Sequence, residues 1–150
     1  MSKYIGKKVW LFEVGDFFYH IRKDTIYTIK SDVMKEGYNG NQYHWGYVVV
    51  DENGKEQEVE RGYVVFLPDA NKDEVSMVSS YLSDNEVYAE VQKDRDEIIV
   101  SISWGDWKHE HGWCEDLMSY IGYTQIDVEE TEENGSDCYS ADHYFAKSCE

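Results

Sequence analysis

Residues 103–118, SWGDWKHEHGWCEDLM, bring together two histidines, one cysteine and four carboxylates. Such side chains can ligate a metal, activate a thiol or carry a proton. Spacing decides which of them can act together. His109 and His111 are two apart, about 200° round a helix, and cannot face the same ion. His111 and Cys114 are three apart and share a helical face. Cys138 and His143 are five apart, so an extended strand sends them to opposite sides, and His143 keeps company with Tyr139, Ala141 and Phe145. One geometrically consistent ligand set follows: His111, Cys114 and His143, with Glu115 or water as a fourth group and zinc as the metal. A Cys114–His143 nucleophile pair can be drawn from the same residues. Neither C-x-x-C nor H-x-x-x-H pairs occur, and the competing reading is a core-edge histidine beside a buried thiol. Glycine-rich phosphate loops, G-x-S-x-G elbows and EF-hand loops are also missing, so no catalytic residue and no bound cofactor are expected.

The elements that must position these residues can be read from periodicity. Asp106 after Gly105 has the side chain of an N-cap, which places a helix over 107–121. Its apolar stripe is Trp107, Cys114, Leu117, Met118 and Ile121, with His111 between them. Gly122 stands where a left-handed C′ residue is wanted. A first helix of about ten residues comes from Val75, Val78 and Leu82 on one stripe with Tyr81 beside it. Val87, Ala89 and Val91, then Ile98, Val100, Ile102 and Trp104, alternate as a hairpin turning at DRDE. A second hairpin turns at Asn134-Gly135.

The first half reads as short strands: KKVWLFEV, FFYHIRK, TIYTIK, and two around Asn53-Gly54, the dipeptide favoured by a type I′ hairpin turn. SDVMKEGYNGNQ, residues 31–42, is taken as a loop with one helical turn. Pro68 marks the boundary. The expected class is α+β: a small antiparallel β-barrel or curled sheet over 1–68, then a two-layer α/β sandwich over 69–150 in the order α-β-β-α-β-β. The two modules are allowed to pack as one unit. If 63–67 adds a leading strand, a ferredoxin-like order results.

Charge is the extreme property. Thirty-one acids against fourteen bases give −17. Residues 1–50 hold five acids and seven bases, whereas 51–100 hold fourteen and five and 101–150 hold twelve and two. A halophilic coat would spread over the whole chain, so this asymmetry points to a partner. The densest acids are Glu56, Glu58 and Glu60; Asp94, Asp96 and Glu97; and Asp127, Glu129, Glu130, Glu132, Glu133 and Asp137. Held on strands and hairpins, they can imitate a row of phosphates and attract a basic nucleic-acid-binding groove. The expected function is therefore a non-enzymatic acidic decoy, an inhibitor of a basic nucleic-acid-binding enzyme, of the kind a phage or mobile element uses against a defence system. The alternatives are an α+β domain with a zinc or thiol site at His111, Cys114 and His143, and an acidic surface that only keeps the chain in solution.

Direct nucleic-acid binding is not expected. Lys3, Lys7, Lys8, Arg22, Lys23 and Lys30 lie near aromatics as in single-strand binders, but the −19 on the last hundred residues would repel the ligand. EGYNGNQYHWGY, residues 36–47, has the aromatic, glycine and amide composition of a docking loop, or of an ordinary small core. The apolar run near the N-terminus is broken by Glu13 and Asp16 and lacks a cleavage site, no stretch is long enough for a membrane span, and the cysteine count is odd. A cytoplasmic location with reduced thiols and no membrane partner is expected.

Overall fold

The computed structural model describes residues 4–14, 19–106, 111–133 and 138–148; side chains are described for these except at 13–14, 19–20, 104–106, 131–133 and 138–139. The protein is α+β, with two antiparallel sheets and, among the described residues, two α-helices and one 3-10 turn, and divides into two compact units, 1–67 and 68–150.

The first unit contains β1 (Lys8–Val14), β2 (Tyr19–Glu36), β3 (Gln42–Val50), β4 (Glu56–Glu60), a single 3-10 turn (Arg61–Tyr63) and β5 (Val64–Phe66). The strands form one sheet in the order β4-β3-β2-β1-β5. β2 is the spine. Its first half pairs with β1 and its second half with β3, and bulges at Ile29/Ser31 and Val33/Met34 bend it between the two. Bulges increase local twist and fold a sheet over its own apolar face. Val9, Leu11, Ile29, Tyr47, Val49, Val64 and Phe66 fill that face, with Tyr4, Tyr27 and Val59 packed against them.

The first unit departs from expectation in three places. The sheet is curled but not closed into a barrel, because β5 has three residues and pairs only with β1, leaving β4 and β5 as edges. The segment read as a loop with a helical turn is mostly strand, since β2 runs unbroken to Glu36 and the turn is confined to 37–41. The hairpin at Asn53-Gly54 exists, but only Gly54 has positive φ (85°). Asp51 accounts for the difference: its carboxylate accepts from the Asn53 and Lys55 amides at 2.9 Å each. That Asx-type bonding selects a wider turn with glycine in the left-handed position.

The second unit contains α1 (Glu74–Asp84), β6 (Glu90–Asp94), β7 (Glu97–Asp106), α2 (Gly112–Tyr120), β8 (Tyr123–Glu133) and β9 (Cys138–Lys147), its sheet ordered β6-β7-β9-β8. A ferredoxin-like arrangement is excluded, because the strand before α1, β5, belongs to the other sheet. Asp73 caps α1, accepting from the Ser76 amide at 2.9 Å. Val78, Tyr81 and Leu82 of α1 and Cys114, Leu117 and Met118 of α2 are buried, as are Ile98, Val100 and Ile102 of β7 and Ala141, His143 and Phe145 of β9. The strand residues are alternate positions, so one sheet face meets both helices. Tyr81 donates its hydroxyl to the Leu117 carbonyl at 2.7 Å, and Trp113 donates to Asn85 O at 3.0 Å, tying helix to helix.

Asp106 is the last residue of β7, in register with Cys138, and α2 spans Gly112–Tyr120 rather than 107–121; the expected cap on Asp106 lies outside the described side chains. Trp107, His109, Glu110 and the Asn134-Gly135 turn lie outside the described residues. Gly122 does take the C′ role, with φ 91° and its amide on Ser119 O. Among the described residues no helix is long and apolar enough to cross a membrane.

Candidate functional site

Two constellations survive in three dimensions: a buried imidazole pair and an acidic sheet face. The pair is formed by His111, just before α2, and His143 in the middle of β9. Both have 0% exposure. His143 Nδ1 lies 2.6 Å from Gln125 Oε1, and His111 Nδ1 lies 2.7 Å from His143 Nε2. A carboxamide oxygen only accepts, so His143 carries its proton on Nδ1 and donates it to Gln125. Its Nε2 is then the acceptor for the His111 Nδ1 proton. Burial, reinforced by the neighbouring His111, pushes the His143 pKa down to about 4 despite the opposing pull of Asp142. The hydrogen-bonded pair fastens the start of α2 to β9 and β8. Both imidazoles are closed off from solvent, and their hydrogen bonds join α2's first turn to the sheet.

The zinc trio is not assembled. Among the described residues no three His, Cys, Asp or Glu side chains cluster as a metal-binding group. The two imidazoles that come together aim nitrogens at one another, and the second nitrogen of His143 is taken by Gln125. Cys114 faces the interior beside Tyr81, and burial pushes its thiol up to about 12, with Glu115 adding to the shift. Such a thiol is a poor nucleophile at neutral pH. Gln125 is the partner that composition could not reveal, since an amide in an acidic strand carries no signal of its own.

The acids separate by unit. Residues 1–67 hold ten acids and nine bases, a balance of −1; residues 68–150 hold twenty-one and five, a balance of −16. Glu56, Glu58 and Glu60 are on β4 of the nearly neutral unit, in register with Val50, Val48 and Gly46, and Glu56 is ion-paired with Lys30. Charges on an edge strand such as β4 also discourage stray strand pairing.

On the second unit, register sorts the rest. Residues paired across antiparallel strands share a face. The face turned away from the helices carries three cross-strand rows: Asp94–Glu97–Ala146–Thr124, Gln92–Ile99–Tyr144–Asp127 and Glu90–Ser101–Asp142–Glu129. Six carboxylates, from all four strands, stand in these rows with no lysine or arginine among them. Lys93 and Lys147 turn to the helix side, where they meet Glu74 at 2.7 Å and 3.6 Å. Tyr144 donates its hydroxyl to Glu129 Oε2 at 3.3 Å. Of the acids singled out from sequence, Asp94, Glu97, Asp127 and Glu129 are on this face. Glu132 follows in register opposite Ser140. Asp96 sits in the β6–β7 turn, Glu130 registers with the buried Ala141 on the other side, and Glu133 is in register with Tyr139, beyond the described side chains. Asp137 is outside the described residues. Glu90 and Asp142 were missed. Asp142 is the only acid of β9 and Glu90 is four residues from Asp94, so a search for dense runs passes over both, whereas strand alternation would have found them.

The chain matches no protein-family model, no curated protein and no solved structure.

Proposed function

We propose that this chain is a non-enzymatic acidic interaction protein whose second unit presents its helix-free sheet face to the basic, nucleic-acid-binding surface of another protein. One observation carries the reading: Glu90, Asp94, Glu97, Asp127, Glu129 and Asp142 share one face without a counter-charge in their rows. Neighbouring strands are about 4.8 Å apart and alternate residues about 7 Å apart, so the carboxylates form a fixed array at the several-ångström scale of nucleic-acid phosphates. A groove of lysines and arginines meets that field already in place and is steered toward it. A merely solubilising coat has no reason to spare one unit and load the other, yet the balances are −1 and −16. The reading needs no metal, cofactor or direct contact with nucleic acid.

The test is displacement of a labelled duplex from a basic, sequence-neutral DNA-binding protein of the HU type. The full chain should displace the duplex at low salt, less effectively as salt rises, without binding the duplex itself. Failure to compete at low salt refutes the proposal.

A further inference from the structure

The outer sheet face has a centre as well as a charge. Ile99 and Tyr144 are cross-strand partners in the middle row, on the two inner strands β7 and β9, and both are half-buried. Diagonally and directly around them stand Glu90, Asp94 and Glu97 on one side and Asp127, Glu129 and Asp142 on the other. An apolar centre with a charged rim is the anatomy of a protein–protein contact. The opposite face of the same sheet shows what such a surface accepts, since α1 and α2 lie there. Sheets with helices on both faces are a standard three-layer solution, and here both described α-helices lie on the one face.

Resting on the reading of a basic partner, we infer that this face receives an amphipathic α-helix of the partner, its apolar stripe on Ile99 and Tyr144 and its lysines and arginines on the carboxylates of β6 and β8. Dimensions agree with this occupant. β6 and β8 are three strand spacings apart, about 14 Å, and a helix with its side chains is about 10–12 Å across. A helix along the centre therefore places basic side chains from its two flanks within reach of Glu90 and Asp94 on one rail and Asp127 and Glu129 on the other. A second copy of the chain is the wrong occupant, because a unit of balance −16 repels itself.

The experiment uses two synthetic peptides of about eighteen residues, long enough to be helical when bound. Both have the same lysine, arginine and leucine content; one carries leucines at i, i+3, i+4 and i+7, the other has them scrambled. Binding to the full chain is read by fluorescence anisotropy, with Ile99→Thr as the protein variant, since threonine keeps the β-branched shape and the strand. The striped peptide should bind at least about tenfold more tightly than the scrambled one, and Ile99→Thr should remove most of that difference. Equal binding of the two peptides, with no effect of Ile99→Thr, overturns the helix inference and leaves a charge-only partner. Absence of binding by either peptide overturns the basic-partner reading as well. Self-association in sedimentation that Ile99→Thr abolishes overturns the choice of occupant.

Discussion

Lowering the pH from 7 to 4 forces a proton toward an imidazole that the fold has closed off from solvent. His143 titrates near 6.5 in an unfolded chain and near 4 in the folded one. Between these values the unfolded chain binds a proton that the folded chain refuses, so stability is complete above about pH 6.5 and is lost as pH falls through about 4. At about 1.4 kcal/mol for each tenfold change in proton affinity, a fall from about 6.5 to about 4 is worth about 3 kcal/mol. Thirty-one acids complicate the raw pH profile, because protonating surface carboxylates relieves repulsion and works in the opposite direction. The comparison that isolates the imidazole is wild type against His143→Gln, which keeps an amide in the network and removes the titration. The variant should be less stable at pH 7, and the gap should close by about 3 kcal/mol at pH 4. Urea unfolding followed on the Ile98 and Ile102 methyl signals reports the second unit by itself, avoiding a two-unit transition treated as one. A gap that stays constant within about 1 kcal/mol from pH 7 to 4 refutes a buried, neutral His143. So would a histidine tautomer spectrum in which His143 protonates at its ordinary value.

Gly46→Ala should separate β3 from β4, because a Cβ at that position would sit 1.9 Å from Val59 O and 2.9 Å from the Glu60 Cα. The expected cost is about 3 kcal/mol or more in urea unfolding read on the Ile29 methyl, and a loss below about 1 kcal/mol would contradict the close approach. In a Cys138→Ser, Cys149→Ser background, Cys114 should resist a disulfide reagent at pH 8 in the native protein and react at once in guanidinium; rapid native labelling would place that thiol in solvent instead. Asp73→Ala should cost about 1 kcal/mol through loss of the α1 cap, with Asp73→Asn costing less; equal stability of all three chains would mean the cap contributes nothing.

What could be read in the sequence was what depends on neighbours a few residues away. Val78, Tyr81 and Leu82 announce α1, Gly122 announces the end of α2, and Asn53-Gly54 announces a hairpin, all by local spacing. The turn type at 51–55 escaped because Asp51, two residues before Asn53, accepts from the turn's own amides and selects another conformation. The single long β2 escaped for a related reason. Its Arg22–Asp24 ion pair is 50% and 65% exposed, so it is polar without being a break. Barrel closure and a ferredoxin-like order are statements about distant pairing, and β5, three residues long, decides both by joining β1. At the candidate site, strand parity placed His143 on the helix side correctly in prospect, and helical spacing put His111 and Cys114 together. The chain instead sends Cys114 toward Tyr81 and offers Gln125 to His143, a choice made by β8, a separate strand.

The acidic face follows the same logic. Density along the chain pointed to 127–137, whereas the array on the sheet draws on four strands and includes isolated acids. Glu90 and Asp142 matter there only because Ser101 stands between them in register, and Glu130 drops out only because it pairs with Ala141. Net charge and face charge are therefore separable quantities in this protein. Two variants of equal net charge separate them: Glu90, Asp94, Asp127 and Glu129 reversed to lysine on the face, against Glu86, Asp96, Glu115 and Glu130 reversed off it. Duplex displacement from a basic DNA-binding protein, at one low salt concentration, is the deciding measurement. The account predicts that the face variant no longer displaces the duplex while the off-face variant retains most of the wild-type effect. Equal loss in both would contradict it, reducing the acidity to bulk charge without an address.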